Sequence, residues 1–340
     1  MEWGELQASR HSIKWYDGLM RPSEAVVENR EARSALAVSV IVLASRPREI
    51  ERCLESLERA AWARPSEILV WINGHDTVDS RQLEKFRDRI PGLRVEVAPR
   101  KPLGEARNAA IEMARHDALC FLDDDVIVPA TYFITLSQKL ALYPEASVLG
   151  GPNRTPEGGA LIAECIGRIL ESPLGAGPMR LRYRSEGIDR ETNGDGLILC
   201  NLVLRKQALE RHGLRFPDGL MRNEENLLLE QLFNAGETAV HCPDLFVFHA
   251  RRSRFFEFFQ QCFLSGEGRG RMTRRMPSSI GLRHLAPALI VFAPFYAIAL
   301  VFSAWKHRPA RKGAFLRMFL LYPTGHIGYA VGLIKGLVLG

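Results

Sequence analysis

Apolar runs of strand length alternate with helically spaced apolar positions over the first two thirds of the chain. Val38-Ser-Val-Ile-Val-Leu43 predicts a buried strand, and the polar break Ser45-Arg-Pro-Arg48 leads into Ile50, Cys53, Leu54 and Leu57, spaced as one helix face. A second strand, Glu67-Ile-Leu-Val-Trp-Ile72, stops at Asn73-Gly74, with a helix-like segment near Gln82 to Arg89 and a short third strand at Val95-Glu-Val97. Gly104 to Ala114 is rich in helix formers, and Ala118-Leu-Cys-Phe-Leu122 is apolar until it meets three aspartates. The pattern continues with a helix over 131–143, a strand and turn at Ser147 to Gly151, and a short helix over 161–170 among glycine- and proline-rich loops. Beyond these come Leu197 to Leu204, a helix-like Arg205 to His212, an acidic helix start at Asn223-Glu-Glu-Asn226, and Leu245-Phe-Val-Phe248 ahead of His249. Such alternation predicts an α/β fold with a mostly parallel central sheet covered on both faces.

The C-terminal part departs from this pattern. Leu285 to Trp305 contains no charged residue over 21 positions, a length that as one helix matches a hydrocarbon core of about 30 Å. A second apolar stretch, Met318 to Leu339, carries Gly328, Gly332 and Gly336 at four-residue spacing, a surface for close helix approach and for a helix-mediated oligomer. Together they predict a membrane-associated helical hairpin over 285–340. Pro287, Pro294, Pro323, His326 and Lys335 weigh against two full spans, and the basic residues Lys306 to Arg317 would lie on the wrong side for the positive-inside tendency. A shallow or re-entrant hairpin and a protein-buried pair are the alternatives. The segment 251–284, with Arg251, Arg252 and Arg254 beside Phe255, Phe258, Phe259 and Phe263, predicts an amphipathic helix at a membrane interface or packed on the core. The expected divisions are therefore an extension over 1–37, a catalytic domain over 38–250, the interface segment and the hairpin.

Composition narrows the class. The 340 residues carry 45 Lys and Arg against 39 Asp and Glu, a net +6, too mild for a nucleic-acid coat, so no nucleic-acid partner is expected. Six cysteines stand singly without a CxxC pair, which fits a reducing compartment, and no signal-like apolar segment precedes Val38.

Three groups of residues could carry chemistry. Asp123, Asp124 and Asp125 follow a buried strand, where open parallel sheets place ligands. The two-residue period sends Asp123 and Asp125 to one side and Asp124 to the other, so the outer pair could share a divalent cation that in turn holds a diphosphate. Arg107 and Asn108 begin the preceding helix and could neutralise a phosphate or tie down loop backbone. Glu224 and Glu225 head a later helix, where capping alone would explain them or one could act as a general base. His249 is a further candidate ligand. Gly266-Glu-Gly-Arg-Gly-Arg271 follows no strand and lacks the lysine and hydroxyl of a phosphate loop.

In order and spacing, Val38 to Leu43, Leu103-Gly-Glu-Ala-Arg-Asn108, Phe121-Leu-Asp-Asp-Asp-Val126, Gly150-Gly-Pro-Asn153, Asn223-Glu-Glu-Asn-Leu-Leu228 and His249 resemble the family-2 glycosyltransferases of GT-A fold, especially membrane-attached bacterial enzymes of exopolysaccharide or glycolipid synthesis. The resemblance spans about 38–250. It implies a nucleotide-diphosphate-sugar donor and Mg²⁺ or Mn²⁺, with Asp123 near the ribose or metal, Asp125 and His249 at the metal and diphosphate, and Glu225, ahead of Glu224, as base. The loop Ala44-Ser-Arg46-Pro47 would bind nucleotide. Where the family often has a base-reading aspartate this chain has Trp71-Ile-Asn73-Gly-His-Asp76, leaving Asn73 and Asp76 as substitutes. The expected activity is metal-dependent, inverting sugar transfer to a lipid-linked or membrane-proximal glycan acceptor, at the bacterial inner membrane with the catalytic domain facing the cytosol. A membrane nucleotidyltransferase and a non-catalytic glycan-binding or assembly protein are the alternatives.

Overall fold

The computed structural model describes residues 36–60, 64–219, 223–290 and 294–339. The extension over 1–35, and with it the reading of its leader character, lies outside the described residues. The chain begins with β1 (Leu36–Ala44), α1 (Pro47–Arg59), β2 (Pro65–Asn73), a 3₁₀ turn (Ser80–Phe86), β3 (Leu93–Ala98), α2 (Leu103–Met113) and β4 (Ala118–Asp123). It continues through β5 (Val126–Ile127), α3 (Tyr132–Leu142), β6 (Val148–Gly150), β7 (Asn153–Arg154), α4 (Leu161–Leu170), α5 (Pro173–Ala176) and β8 (Arg190–Glu191). Next come β9 (Asn201–Arg205), α6 (Lys206–His212), α7 (Glu224–Asn234), β10 (Ala239–His241) and β11 (Val247–His249). Four helices close the chain: α8 (Phe255–Arg275), α9 (Leu282–Ile290), α10 (Tyr296–His307) and α11 (Ala314–Leu339).

Eight strands form one sheet in the order β3-β2-β1-β4-β9-β6-β10-β8, and β5-β11-β7 form a small second sheet. β3, β2, β1 and β4 run parallel, as do β6 and β10, while β9 lies antiparallel between β4 and β6 and β8 is antiparallel at the edge. This largely parallel α/β sheet is the GT-A fold. β1 shows why its sequence is continuously apolar: Val38, Val40 and Val42 enter the cluster under α1 and α3, while Ile41 enters the opposite cluster with α2 and α7, so both faces are covered. Ser39, the polar exception, is buried and donates to Glu67 Oε2 at 2.6 Å, and Glu67 also accepts from the N–H of Arg115 and pairs with Arg94. At the end of β6, a Cβ on Gly151 would stand 1.7 Å from the carbonyl oxygen of Leu245, so only glycine lets the loop ahead of β11 approach this closely.

The C-terminal helices overturn the membrane hairpin. The expected 21-residue span is divided between α9 and α10, whose 9 and 12 residues rise only about 14 and 18 Å. α11 has the length, at 26 residues, but Arg317, Pro323, His326 and Lys335 interrupt it. Among the described residues no helix is long and apolar enough to cross a membrane. The spanning hairpin is therefore not formed, and the membrane-attached type, membrane partner and inner-membrane location read from it are corrected accordingly. The buried face of α11 is instead used within the protein. Met318, Leu321 and Tyr322 join Cys165, Ile166 and Ile169 of α4, and Leu300 and Ala304 of α10, in one cluster. The groups that interrupt α11 also have internal partners: His326 bonds the Leu174 carbonyl and the Tyr296 hydroxyl, and Lys335 pairs with Glu267 at 3.1 Å.

The glycine stripe likewise serves contact within the chain rather than the expected oligomer. A Cβ on Gly332 would lie 1.9 Å from the Phe263 carbonyl oxygen, and one on Gly266 would lie 2.1 Å from the Tyr329 carbonyl oxygen, so α8 and α11 touch backbone to backbone. Phe258, on the apolar face expected either at a membrane interface or packed on the core, is buried in the same helical cluster.

Candidate active site

β4 delivers Asp123 at its C-terminal end, in register with Leu43 of β1, and the chain turns through Asp124 and Asp125 into β5. β11 pairs with β5 so that His249 lies opposite Val126. This pairing, between segments more than a hundred residues apart, brings Asp123, Asp125 and His249 together, one ligand atom from each lying within 4.8 Å of the others. His249 Nε2 is 3.2 Å from Asp125 Oδ1. His249 Nδ1 lies 3.0 Å from the Ala250 carbonyl, which can only accept, so Nδ1 carries a proton and Nε2 is the nitrogen turned to the carboxylates. Asp125 Oδ1 is buried without a hydrogen-bond donor. Two carboxylates and an imidazole, with one oxygen unsatisfied, fit a hard or borderline divalent cation.

Asp124, facing the other way, holds the loop after β1. Its Oδ2 accepts from the N–H of Ser45 at 2.7 Å and of Arg46 at 3.0 Å, and its Oδ1 accepts from Arg46 Nε at 2.8 Å. The Arg46 guanidinium also pairs with Asp125, so it bridges the loop after β1 and the candidate metal cluster. Burial and the adjacent Asp125 charge push Asp123 up to about 6. Burial also opposes ionisation of Asp125, but His249 and Arg46 outweigh it and hold its carboxyl well below the usual range.

The second carboxylate pair sits at the start of α7. Asn223 adopts a left-handed conformation (φ 62°), tolerable for asparagine, and turns the chain into the helix. Glu224 is buried and ion-paired to Arg107 of α2. Glu225 accepts from Asn226 Nδ2 at 2.8 Å, and burial together with the Glu224 charge pushes its carboxyl up to about 7. Arg107 exerts its charge on both Asp123 and Glu225, linking the two carboxylate groups electrostatically.

Other sequence candidates have different surroundings. Asn108 bonds the backbone of Phe216 in both directions at 2.9 Å, and Asn73 does the same with Lys101, so both side chains tie loops down. Asp76 is exposed and faces Arg100 at 3.5 Å. Ala44 is buried at the end of β1. Sequence reasoning missed a polar pocket adjoining Glu225, lined by Arg182, Asn226, Arg269, Arg283 and His284. Asn226 connects the two regions, donating to Glu225 while its Oδ1 accepts from Arg182 Nη2 at 3.0 Å. Arg269 lies within the glycine-spaced run 266–271, whose glycines signalled a close helix contact rather than a phosphate loop.

Fold and site together define a GT-A glycosyltransferase with a cluster able to hold a divalent metal. The sequence profile of glycosyl transferase family 2 matches residues 39–213, more than half of the 340, and the chain belongs to that family of enzymes. No curated protein matches the chain in sequence. Among solved structures, a mannosyltransferase from Pyrobaculum calidifontis, PcManGT, determined with GDP-Man and Mn²⁺, is similar with a TM-score of 0.59 and 16% identity, over 96% of this chain and 93% of that one. S. aureus TarS 1–349 is similar with a TM-score of 0.50 and 15% identity, over 88% and 91%. At these identities the likeness is one of fold.

Proposed function

We propose that this glycosyltransferase moves a sugar from a nucleotide-diphosphate donor to an acceptor hydroxyl in one inverting displacement, with Mg²⁺ or Mn²⁺ held by Asp123, Asp125 and His249. The observation that carries the reading is the division of labour between the carboxylates: two stand beside the His249 imidazole, one is locked to Arg107, and Glu225, outside both groups, is pushed up to about 7. A divalent cation in the first group supplies positive charge against the diphosphate as it leaves. Asp124 holds the loop of Ser45 and Arg46 in place for the nucleotide, and Arg46 adds a guanidinium beside the diphosphate position. Glu225 takes the proton from the acceptor hydroxyl as that oxygen attacks the anomeric carbon; a base near 7 is substantially ionised at neutral pH yet still basic enough to accept a proton. Glu224, fixed by Arg107, raises the basicity of Glu225 by its charge. The lipid-linked acceptor loses its support with the hairpin, so the acceptor is proposed only as a hydroxyl compound.

The test is a mass-spectrometric screen of nucleotide-sugar donors against glycan extracts, with Mn²⁺ and with the metal chelated. Metal-dependent gain of one sugar mass with release of a nucleoside diphosphate supports the reading. Release of pyrophosphate instead points to nucleotidyl transfer and refutes it.

A further inference from the structure

The pocket beside Glu225 gathers the guanidiniums of Arg182, Arg269 and Arg283. Its carboxylates are Asp195, paired with Arg283 at 3.3 Å, and Glu230. Arg182 is held by neutral acceptors, the carbonyls of Asp195 and Gly194 and the Asn226 side chain. Arg269 is the telling group. It is 7% exposed, its Nη1 donates to the Met272 thioether at 3.2 Å, Tyr329 is a second hydrogen-bond partner, and no carboxylate among the described residues forms an ion pair with it, Glu225 acting on it only through its charge. A buried guanidinium with no ion-pair partner gains from a ligand that supplies one. His284, in the same pocket, accepts the Gly281 N–H at Nδ1, and burial and the three arginines push its ring down to about 3, so it stays neutral and the pocket's positive charge comes from the arginines.

We propose that this pocket binds an oxyanion carried by the acceptor, a phosphate or a carboxylate, so that the enzyme glycosylates an anionic acceptor rather than a neutral sugar. The inference rests on Glu225 facing the acceptor, as in the function proposed above. Asn226 sets the geometry: one side chain touches both Glu225 and Arg182, so an anion on the arginines leaves a neighbouring hydroxyl within reach of the base. The pocket is partly open and its volume is about 20 Å³, on the scale of one oxygen-sized group, so the oxygen end of the anion enters while a sugar ring stays outside toward Glu225.

The test titrates the full chain by calorimetry with glycerol 1-phosphate, methyl glucuronide and neutral glycerol, in the presence of Mn²⁺. At least one anion is expected to bind and glycerol is not; the tighter of the two identifies the anion. Arg269→Met should weaken that binding about tenfold or more while Mn²⁺ still binds. Asp125→Ala should abolish Mn²⁺ binding and keep anion binding. If Arg269→Met fails to fold, Arg283→Gln, at a partly exposed position, should weaken the anion at least threefold or so. Binding of neither anion, binding unchanged in the arginine variants, or loss of anion binding in Asp125→Ala overturns the proposal. Parallel titration with UDP and GDP tests the donor reading separately: anion binding without binding of either nucleotide refutes that reading and leaves the pocket standing.

Discussion

Replacing Glu225 by glutamine isolates the charge on which the base assignment depends. In the folded chain burial and the Glu224 charge raise this carboxyl from its ordinary 4.5 to about 7. Between those values the folded state holds a proton that the unfolded state has lost, so stability falls as pH rises through the window and levels off above it. The full difference corresponds to about 3 kcal/mol, and the partial exposure of Glu225 trims it to about 1–3 kcal/mol. Glutamine keeps the oxygen that accepts from Asn226 Nδ2 and carries no charge. Glu225→Gln is therefore expected to match the wild type in stability near pH 4.5 and to exceed it by about 1–3 kcal/mol at pH 8.5, read by urea denaturation across a pH series. Transfer by the wild type should rise with pH to a plateau with its midpoint near 7, and the variant should lose about 10²–10⁴-fold in rate while retaining nucleotide binding. Parallel stability profiles, or a variant less stable at pH 8.5, would refute the argument that Glu225 is a strained carboxylate poised to take a proton.

Asp125→Ala should remove Mn²⁺-dependent transfer and Mn²⁺ binding by calorimetry while the chain stays folded, since the partners of its carboxylate are the side chains of Arg46 and His249; normal turnover would refute the ligand assignment. Arg46→Met should destabilise the chain by about 2–3 kcal/mol in denaturant titration, because Asp124 at 1% exposure loses its counter-charge, and Arg46→Met with Asp124→Asn should recover most of that loss. Gly332→Val should cost about 1–3 kcal/mol or more in the same assay by forcing α11 off the Phe263 carbonyl, and an unchanged midpoint would mean the two helices do not touch as described.

What the sequence made legible follows from the range of the interactions involved. β1, β2, β4 and the acidic turn are local: a continuously apolar strand buried on both faces ends where carboxylates begin, and Asp123 and Asp125 share a side because side chains alternate. The same period turned Asp124 to the other side but did not reveal its partners, the N–H groups of Ser45 and Arg46, which lie nearly eighty residues away. The antiparallel insertion of β9 and the short β10 were not legible, because five- and three-residue strands carry too little periodicity to reveal pairing or direction.

The C-terminal helices failed for a different reason. Apolarity over 285–305 and glycines at four-residue spacing are demanded equally by a bilayer and by close packing against a protein, and the sequence does not state which solvent surrounds them. The discriminating features were the proline-interrupted length and the polar groups His326 and Lys335, each of which has a partner in the folded chain. The same contact explains the arginine pocket. Only when Gly266 and Gly270 let α8 lie against the backbone of α11 is Arg269 buried, and only the packing of α8 near α7 brings it to Asn226 and Glu225. The helical appendage that reads in sequence as an anchor thus completes the side of the active site where the acceptor is proposed to enter.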